Sequence, residues 1–158
     1  MQLEIRLDDL RDARVAEFLE EHLADMRRVS PPGSVHALDL AGLRRPETRF
    51  WSAWINGPEG VERLAGTAAL KRLDDSHAEL KSMRTADALR GQGIAARMLT
   101  HVLAQACAQG HTRISLETGS QPFFEPARVL YARHGFEPCD PFGAYSSDPA
   151  SHFMTRLL

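Results

Sequence analysis

The sequence predicts a mixed α/β (α+β) domain, with a mostly antiparallel central sheet of six to seven strands flanked by about four helices. Three observations predict this class. Short turns separate the strand-like segments between residues 50 and 85, which favours antiparallel pairing. A strand–helix–strand crossover over residues 77–118 makes the sheet mixed. The length of 158 residues is that of one domain, 1–158.

Hydrophobic periodicity predicts the elements of the first half of the chain. Apolar and polar residues alternate in the first strand, whereas Leu10, Phe18 and Met26 belong to a set that recurs at near-helical spacing. Asp8 or Asp9 is the expected N-cap of that helix. The predicted elements are a strand over 2–7, a helix over about 10–27, a short helix within the loop 34–48, a hairpin of strands 50–55 and 61–73, and a strand near 77–85.

In the second half, paired apolar positions from Ile94 to Ala106 recur every four residues and predict a long helix with a buried face. Gly110 and Gly135 follow two predicted helices at the position where glycine commonly ends a helix. The predicted elements are a helix from about 94 to Gly110, a strand over 112–118, a helix over about 123–134, and strands over 136–139 and 151–158.

Composition and charge exclude several classes of function. The 19 Lys and Arg against 21 Asp and Glu give a net charge of −2, which argues against nucleic-acid binding over the whole surface. No stretch approaches the ~18 apolar residues of a membrane span, and residues 1–10 lack the features of a signal peptide. Two cysteines are too few for a disulfide framework, so a reduced cytoplasmic protein is expected. The seven histidines show no metal-binding spacing, so no metal is expected.

A glycine-containing loop, Arg90-Gly91-Gln92-Gly93, stands between a predicted strand and the start of the long helix. A helix N-terminus offers unpaired N–H groups and a partial positive charge, and glycine lets a phosphate approach the backbone closely. The loop matches neither the P-loop nor the dinucleotide-binding pattern. On spacing alone it is either an anion site suited to a pyrophosphate or a simple turn.

Three segments together resemble the GNAT N-acetyltransferase superfamily. Arg90-x-x-Gly93-x-Ala95 resembles its acyl-CoA pyrophosphate loop, [QR]-x-x-G-x-[GA]. Residues 78–85, A-E-L-K-S-M-R-T, resemble the strand before that loop, and residues 127–137, A-R-V-L-Y-A-R-H-G-F-E, resemble its A-x-x-L-Y-x-x-x-G-F segment. The tail further resembles a bacterial single-domain subgroup called YsnE-like. The resemblance implies the GNAT-type acyl-CoA N-acyltransferase fold and acetyl-CoA as co-substrate.

The resemblance also implies which residues bind acetyl-CoA. The backbone N–H groups of the loop and the first helical turn would hold the pyrophosphate, with support from Arg90. Backbone groups of Met83 and Thr85 would pair with the pantetheine arm, and an N–H near Met83 would polarise the thioester carbonyl. Many members carry an Asn after the strand 112–118; Ser120 or Gln121 stands in this region instead. The implied binding residues are Met83, Arg84, Thr85, Arg90, Gly91, Gln92, Gly93, Ile94, Ala95, Ala96 and Ser120.

Acetyl transfer to an amine needs a base for the ammonium proton and an acid for the leaving thiolate. The resemblance implies Tyr131 as the acid and Glu79 as the first candidate for the base. Glu117, on the next strand, is the second candidate for the base. A helix-packed tyrosine and a solvent-facing strand glutamate are the structural alternatives for Tyr131 and Glu79.

The acceptor site is expected to involve residues beside the sheet. Trp51 and Trp54 lie on opposite faces of one strand, so one is expected in the core and the other in an acceptor pocket. His36 follows the first helix, where this fold often shapes the acceptor site, although a surface histidine is the alternative. Glu117 is a further candidate for acceptor binding.

The expected function is an acetyl-CoA-dependent N-acetyltransferase that acts on the amine of a small molecule by direct attack in a ternary complex. The alternatives are a non-catalytic acyl-CoA-binding sensor on the same fold, and an acetyltransferase for protein N-termini or lysines. Neither nucleic acid nor membrane is an expected partner. A homodimer is expected, because family members often pair.

Overall fold

The computed structural model describes residues 2–158 and confirms the mixed fold class. Its strands are Leu3–Leu7 (β1), Thr48–Asn56 (β2), Glu62–Arg72 (β3), His77–Thr85 (β4), Arg113–Gly119 (β5), Glu137–Pro138 (β6) and Ser151–Leu157 (β7). They form one sheet in the order β1-β2-β3-β4-β5-β7-β6. The neighbouring pairs are antiparallel except β4 and β5, which run parallel, as the predicted crossover requires.

The helices are Ala13–Val29 (α1), Leu40–Leu43 (α2), Ile94–Ala108 (α3) and Glu125–Arg133 (α4). The crossover between β4 and β5 is made by α3. None of the helices within residues 2–158 has the length and apolar character that crossing a membrane requires.

The first helix begins later than the sequence pattern predicts. Asp12 is its N-cap, and the Asp12 carboxylate accepts a hydrogen bond from the N–H of Arg14 at 2.8 Å. Asp8 instead accepts from the N–H of Leu10 at 2.8 Å, and Leu10 has a φ of 64°, which no α-helix contains. The predicted start at residue 10 with Asp8 or Asp9 as N-cap is therefore wrong, because Asp-centred turns precede the helix.

The sheet is covered on both faces. On one face, α3 packs against residues such as Trp51 of β2 and Ala68 of β3, and Tyr131 of α4 joins the same core. On the other face, α1 and α2 pack against Phe50 and Trp54 of β2. Because β2 and β3 are buried on both sides, the central part of the sheet is a rigid support for the neighbouring strand β4.

The strands β4 and β5 stop pairing before either strand ends. Their ladder ends with Leu80 opposite Leu116, while β4 continues to Thr85 and β5 to Gly119. At the same level the register of β3 and β4 shifts, and Ser82 has a φ of 53°. The hydroxyl of Thr67 holds this bulge by donating a hydrogen bond to the Ser82 carbonyl at 2.8 Å. The sheet therefore opens into a fork between β4 and β5.

Candidate active site

A cavity of about 100 Å³ lies at the fork of β4 and β5. Its walls come from both strands, from α1 and the segment after it, and from α4. Several titratable side chains line it: His22, His36, Glu79, Lys81, Glu117 and Tyr131. The fold thus gathers Glu79, Glu117, Tyr131 and His36, four side chains that the sequence singles out, around one space.

Glu79 is held in a buried polar network. Its Oε2 atom accepts hydrogen bonds from the Tyr145 hydroxyl at 2.5 Å and from the Lys81 ammonium at 3.1 Å. Lys81 also donates to the Tyr145 hydroxyl at 2.8 Å. The side chains of Glu79 and Lys81 are only 3% and 8% exposed, so the pair is desolvated. Burial, together with the Glu79 charge, raises the pKa of Tyr145 well above its ordinary value, so the phenol stays protonated and donates.

Glu117 is the second carboxylate of the cavity. It lies on β5 one residue beyond the last β4–β5 pair, and its partner on the other side is Phe153 of β7. No ion pair holds it among residues 2–158. Burial raises the pKa of Glu117 to about 7, so its protonation changes near neutral pH.

Tyr131 enters the cavity from α4. It is 6% exposed, and its ring meets that of Phe136 edge to face at 5.8 Å between centroids. Burial, and secondarily the charge of Glu117, raises the pKa of Tyr131 above its ordinary value. The phenol is therefore protonated at neutral pH, as a proton donor must be. The ring thus packs in the core and also lines the cavity.

The side chain of Arg84 contacts α1. Its guanidinium pairs with Asp25 of α1 at 2.9 Å and lies 5.4 Å from the centre of the Phe18 ring. The side chain is 7% exposed. The expectation that Arg84 helps to bind the anionic CoA is corrected, because its charge is already used to fasten α1 to β4.

Two further polar atoms of the cavity wall are buried without a hydrogen-bond partner among residues 2–158: Nδ1 of His22 and Oγ of Ser82. Burial, and then the charge of Arg84, lowers the pKa of His22 to about 4. His22 is therefore a neutral imidazole at pH 7.

The loop after β4 presents its backbone to solvent. Gly91 and Gly93 have φ values of 78° and 80°, and a Cβ added at either would meet no atom within 4 Å. Gly93 is the N-cap of α3. Its carbonyl accepts a hydrogen bond from the N–H of Arg97 at 3.2 Å, the first backbone hydrogen bond of the helix. The N–H groups before Arg97 in the first turn have no partner inside the helix. Arg90 forms an exposed ion pair with Asp87 at 2.8 Å.

Neither tryptophan lines the cavity. Trp51 and Trp54 are on opposite faces, as predicted, but both are 3% exposed and belong to the two cores. Trp51 packs against His101, and the Trp54 indole donates a hydrogen bond to the Ser52 hydroxyl at 2.8 Å. The expectation that one of them forms an acceptor pocket is corrected, because helices cover both faces of β2.

His36 is expected beside the acceptor and Ser120 beside acetyl-CoA, and the structure places only His36 at the cavity. His36 lines the cavity, and its ring lies edge-on to Tyr145 at 5.1 Å between centroids. The Ser120 hydroxyl donates to the carbonyl of Pro149 at 2.6 Å, so it serves to fasten the segment before β7.

A model of the acetyltransferase (GNAT) family matches residues 7–136 of the chain. The chain belongs to the GNAT family.

Two bacterial relatives span nearly the whole of this GNAT protein. It is 49% identical over 156 residues to YsnE of Bacillus subtilis (strain 168), an uncharacterized N-acetyltransferase, with 99% of this chain and 100% of the relative covered. It is 46% identical over 154 residues to YedL of Escherichia coli (strain K12), also an uncharacterized N-acetyltransferase, with 98% and 94% covered. The chain is thus an acetyl-transferring enzyme of the YsnE-like kind.

A solved structure supports the same fold. N-acetylglutamate synthase from Neisseria gonorrhoeae, in complex with coenzyme A and N-acetyl-glutamate, superimposes with a TM-score of 0.74 at 19% identity. The alignment covers 100% of this chain and 35% of the synthase. At this identity the likeness concerns the fold alone.

The sequence does not single out every residue of this GNAT site. Lys81 lies two residues after Glu79 on one strand. The two-residue period of a strand therefore predicts that both side chains lie on the same face of the sheet. Tyr145 lies in the irregular segment between β6 and β7, where no periodicity indicates a partner. His22 follows the helical spacing of α1 and is predicted only as a helix residue.

Proposed function

We propose that this GNAT enzyme transfers an acetyl group from acetyl-CoA to a primary amine of a small molecule, by direct attack in a ternary complex. The observation that carries the proposal is the cavity at the β4–β5 fork. A protonated phenol, Tyr131, and a carboxylate without an ion pair among residues 2–158, Glu117, both line it. Transfer of an acetyl group from a thioester to an amine requires one acid and one base.

The glycine loop and the N-terminus of α3 support the binding of acetyl-CoA. The open space above Gly91 and Gly93 leaves room for a phosphate against the backbone. The N–H groups from Gly91 to Ala96 would donate to the pyrophosphate, aided by the positive end of the helix dipole. This local site compensates for the net charge of −2, which otherwise disfavours an anionic ligand.

The fork supports the placement of the thioester. Beyond Leu80, the β5-facing edge of β4 borders the cavity through Ser82 and Met83. Backbone groups of Met83 and Thr85 would bind the pantetheine arm as an added strand does, and an N–H near Met83 would stabilise the oxyanion of the tetrahedral intermediate. Tyr131 would then protonate the leaving thiolate.

Release of free CoA thiol tests the proposal. The purified enzyme is mixed with acetyl-CoA and a panel of small primary amines, and product is identified by mass spectrometry. One thiol per acetylated amine is the expected result. Binding of acetyl-CoA without turnover would point to a sensor, and acetyl groups only on added proteins would point to a protein acceptor. A cytoplasmic location, a homodimer, and one domain over 1–158 stay predictions.

A further inference from the structure

We propose that Glu117 binds the acceptor as an ammonium cation and removes its proton, so that the cavity selects amines without a neighbouring carboxylate. The inference rests on the proposed function, because it assigns the base and the acceptor class of that reaction.

Glu79 is poorly suited to take the proton. Its Oε2 atom already accepts from Lys81 and Tyr145, and the side chain is 3% exposed. A proton on Glu79 would leave the Lys81 ammonium without its counter-charge in a buried site, which is costly. Glu79 is therefore a positioning residue, which together with Tyr145 keeps Lys81 neutralised and in place.

Glu117 has the opposite surroundings. It lines the same cavity, beside Tyr131, with no ion pair among residues 2–158. Charged and titratable groups face it from several elements: Glu79 and Lys81 on β4, Tyr131 on α4, Tyr145 and Asp148 before β7, and His22 and His36 on α1 and after it. Burial keeps the carboxylate basic enough to accept a proton near pH 7.

The charges that line the cavity favour a cation. Lys81 is the one lysine or arginine among the described lining residues, and Glu79 neutralises it. Ionised Glu117 then leaves a net charge of about −1 in the cavity. His22 is neutral, and its unpartnered Nδ1 atom and the Ser82 hydroxyl add uncharged polar groups. An ammonium thus finds a carboxylate, whereas a substrate carboxylate finds like charge and no unpaired cation.

The proton balance of the transfer closes with these groups. The ammonium gives one proton to Glu117, which later passes it to solvent. The neutral amine forms the C–N bond to the acetyl carbon as the carbonyl bond opens. When the C–S bond breaks, the thiolate takes the proton of Tyr131, and the phenolate regains one from the nitrogen. The net products are the amide, free CoA thiol and one proton.

Two matched variants, Glu117→Gln and Glu79→Gln, test the role of Glu117. In the wild type, kcat/KM for the amine should rise with pH through about 7, where Glu117 ionises. Glu117→Gln should lower kcat/KM by about 100-fold or more at pH 7 and move that rise towards about 10, where the amine itself is neutral. Glu79→Gln should keep the rise but move it to lower pH, because the Glu79 charge raises the pKa of Glu117 and the freed Lys81 lowers it. Both variants should bind CoA like the wild type. An unchanged profile in Glu117→Gln, or a rise moved towards 10 only in Glu79→Gln, overturns the proposal.

Matched acceptor pairs test the substrate class. Each pair differs by the α-carboxylate alone: 2-phenylethylamine and phenylalanine, 3-methylbutylamine and leucine, histamine and histidine. The amines should exceed their amino acids by at least about 10-fold in kcat/KM. A kcat/KM for the amino acids that equals or exceeds that for the amines overturns the proposed selection against a carboxylate, but leaves the proposed function intact. Absence of thiol release with every acceptor removes the proposed function, and this inference with it.

Discussion

Replacement of Gly93 by alanine separates a backbone effect from a loss of phosphate binding. An L-residue at a φ of 80° costs about 1–2 kcal/mol, and the new methyl group meets no protein atom within 4 Å. For a chain of this length, that cost lowers Tm by about 2–8 °C. A pyrophosphate over the loop would need the space that the methyl group fills. Losing one hydrogen bond to a charged phosphate would weaken CoA binding by about 10- to 150-fold.

Gly60→Ala is the matched control. Gly60 has a φ of 74°, its Cβ would also meet nothing within 4 Å, and it lies in the turn between β2 and β3. Both variants should lose similar Tm in thermal denaturation, while only Gly93→Ala should lose affinity in calorimetric titration with CoA. Equal CoA affinity in the two variants would refute the assignment of the loop as the pyrophosphate site.

Three further predictions concern single side chains. Tyr131→Phe should reduce kcat by about 100-fold or more with CoA affinity within about 2-fold of wild type, and an unchanged kcat would remove the phenol from the mechanism. Arg84→Met should destabilise the fold by about 1–3 kcal/mol in urea titrations, because it removes the buried partner of Asp25 and leaves only the exposed Arg28. The pair with Arg84 lowers the pKa of Asp25, so this loss should shrink as the pH falls below about 4, and a pH-independent loss would contradict the pair. Glu117→Gln should stabilise the fold above pH 7 by up to about 3 kcal/mol, since burial favours the protonated carboxyl, and should lose this gain below about pH 4.5; lower stability at pH 8 would contradict the raised pKa.

The regular elements of the fold are predictable from the sequence because their signals are local. Period-two alternation and helical spacing lie within single segments, so β1 to β5 and α3 appear close to their predicted ranges. The same local rule places Trp51 and Trp54 on opposite faces. It does not say what covers each face, and the structure shows that helices cover both tryptophans.

The side chains that distinguish the site depend on contacts across the chain. Tyr145 reaches Glu79 over 66 residues, and Arg84 reaches Asp25 over 59. Such pairings follow from the topology of the sheet and the packing of α1, not from spacing in a segment. The sequence therefore predicts which carboxylates are candidates, whereas the structure shows that Glu79 forms an ion pair and that Glu117 forms none among residues 2–158.

The most direct measurement of the central proposal is the yield of free CoA thiol against acetylated product, with acetyl-CoA and a small primary amine as substrates. One thiol is expected for each acetylated amine in the wild type, and the rate should fall by about 100-fold in Tyr131→Phe. A thiol yield that no amine raises above acetyl-CoA hydrolysis would contradict acetyl transfer to a small amine.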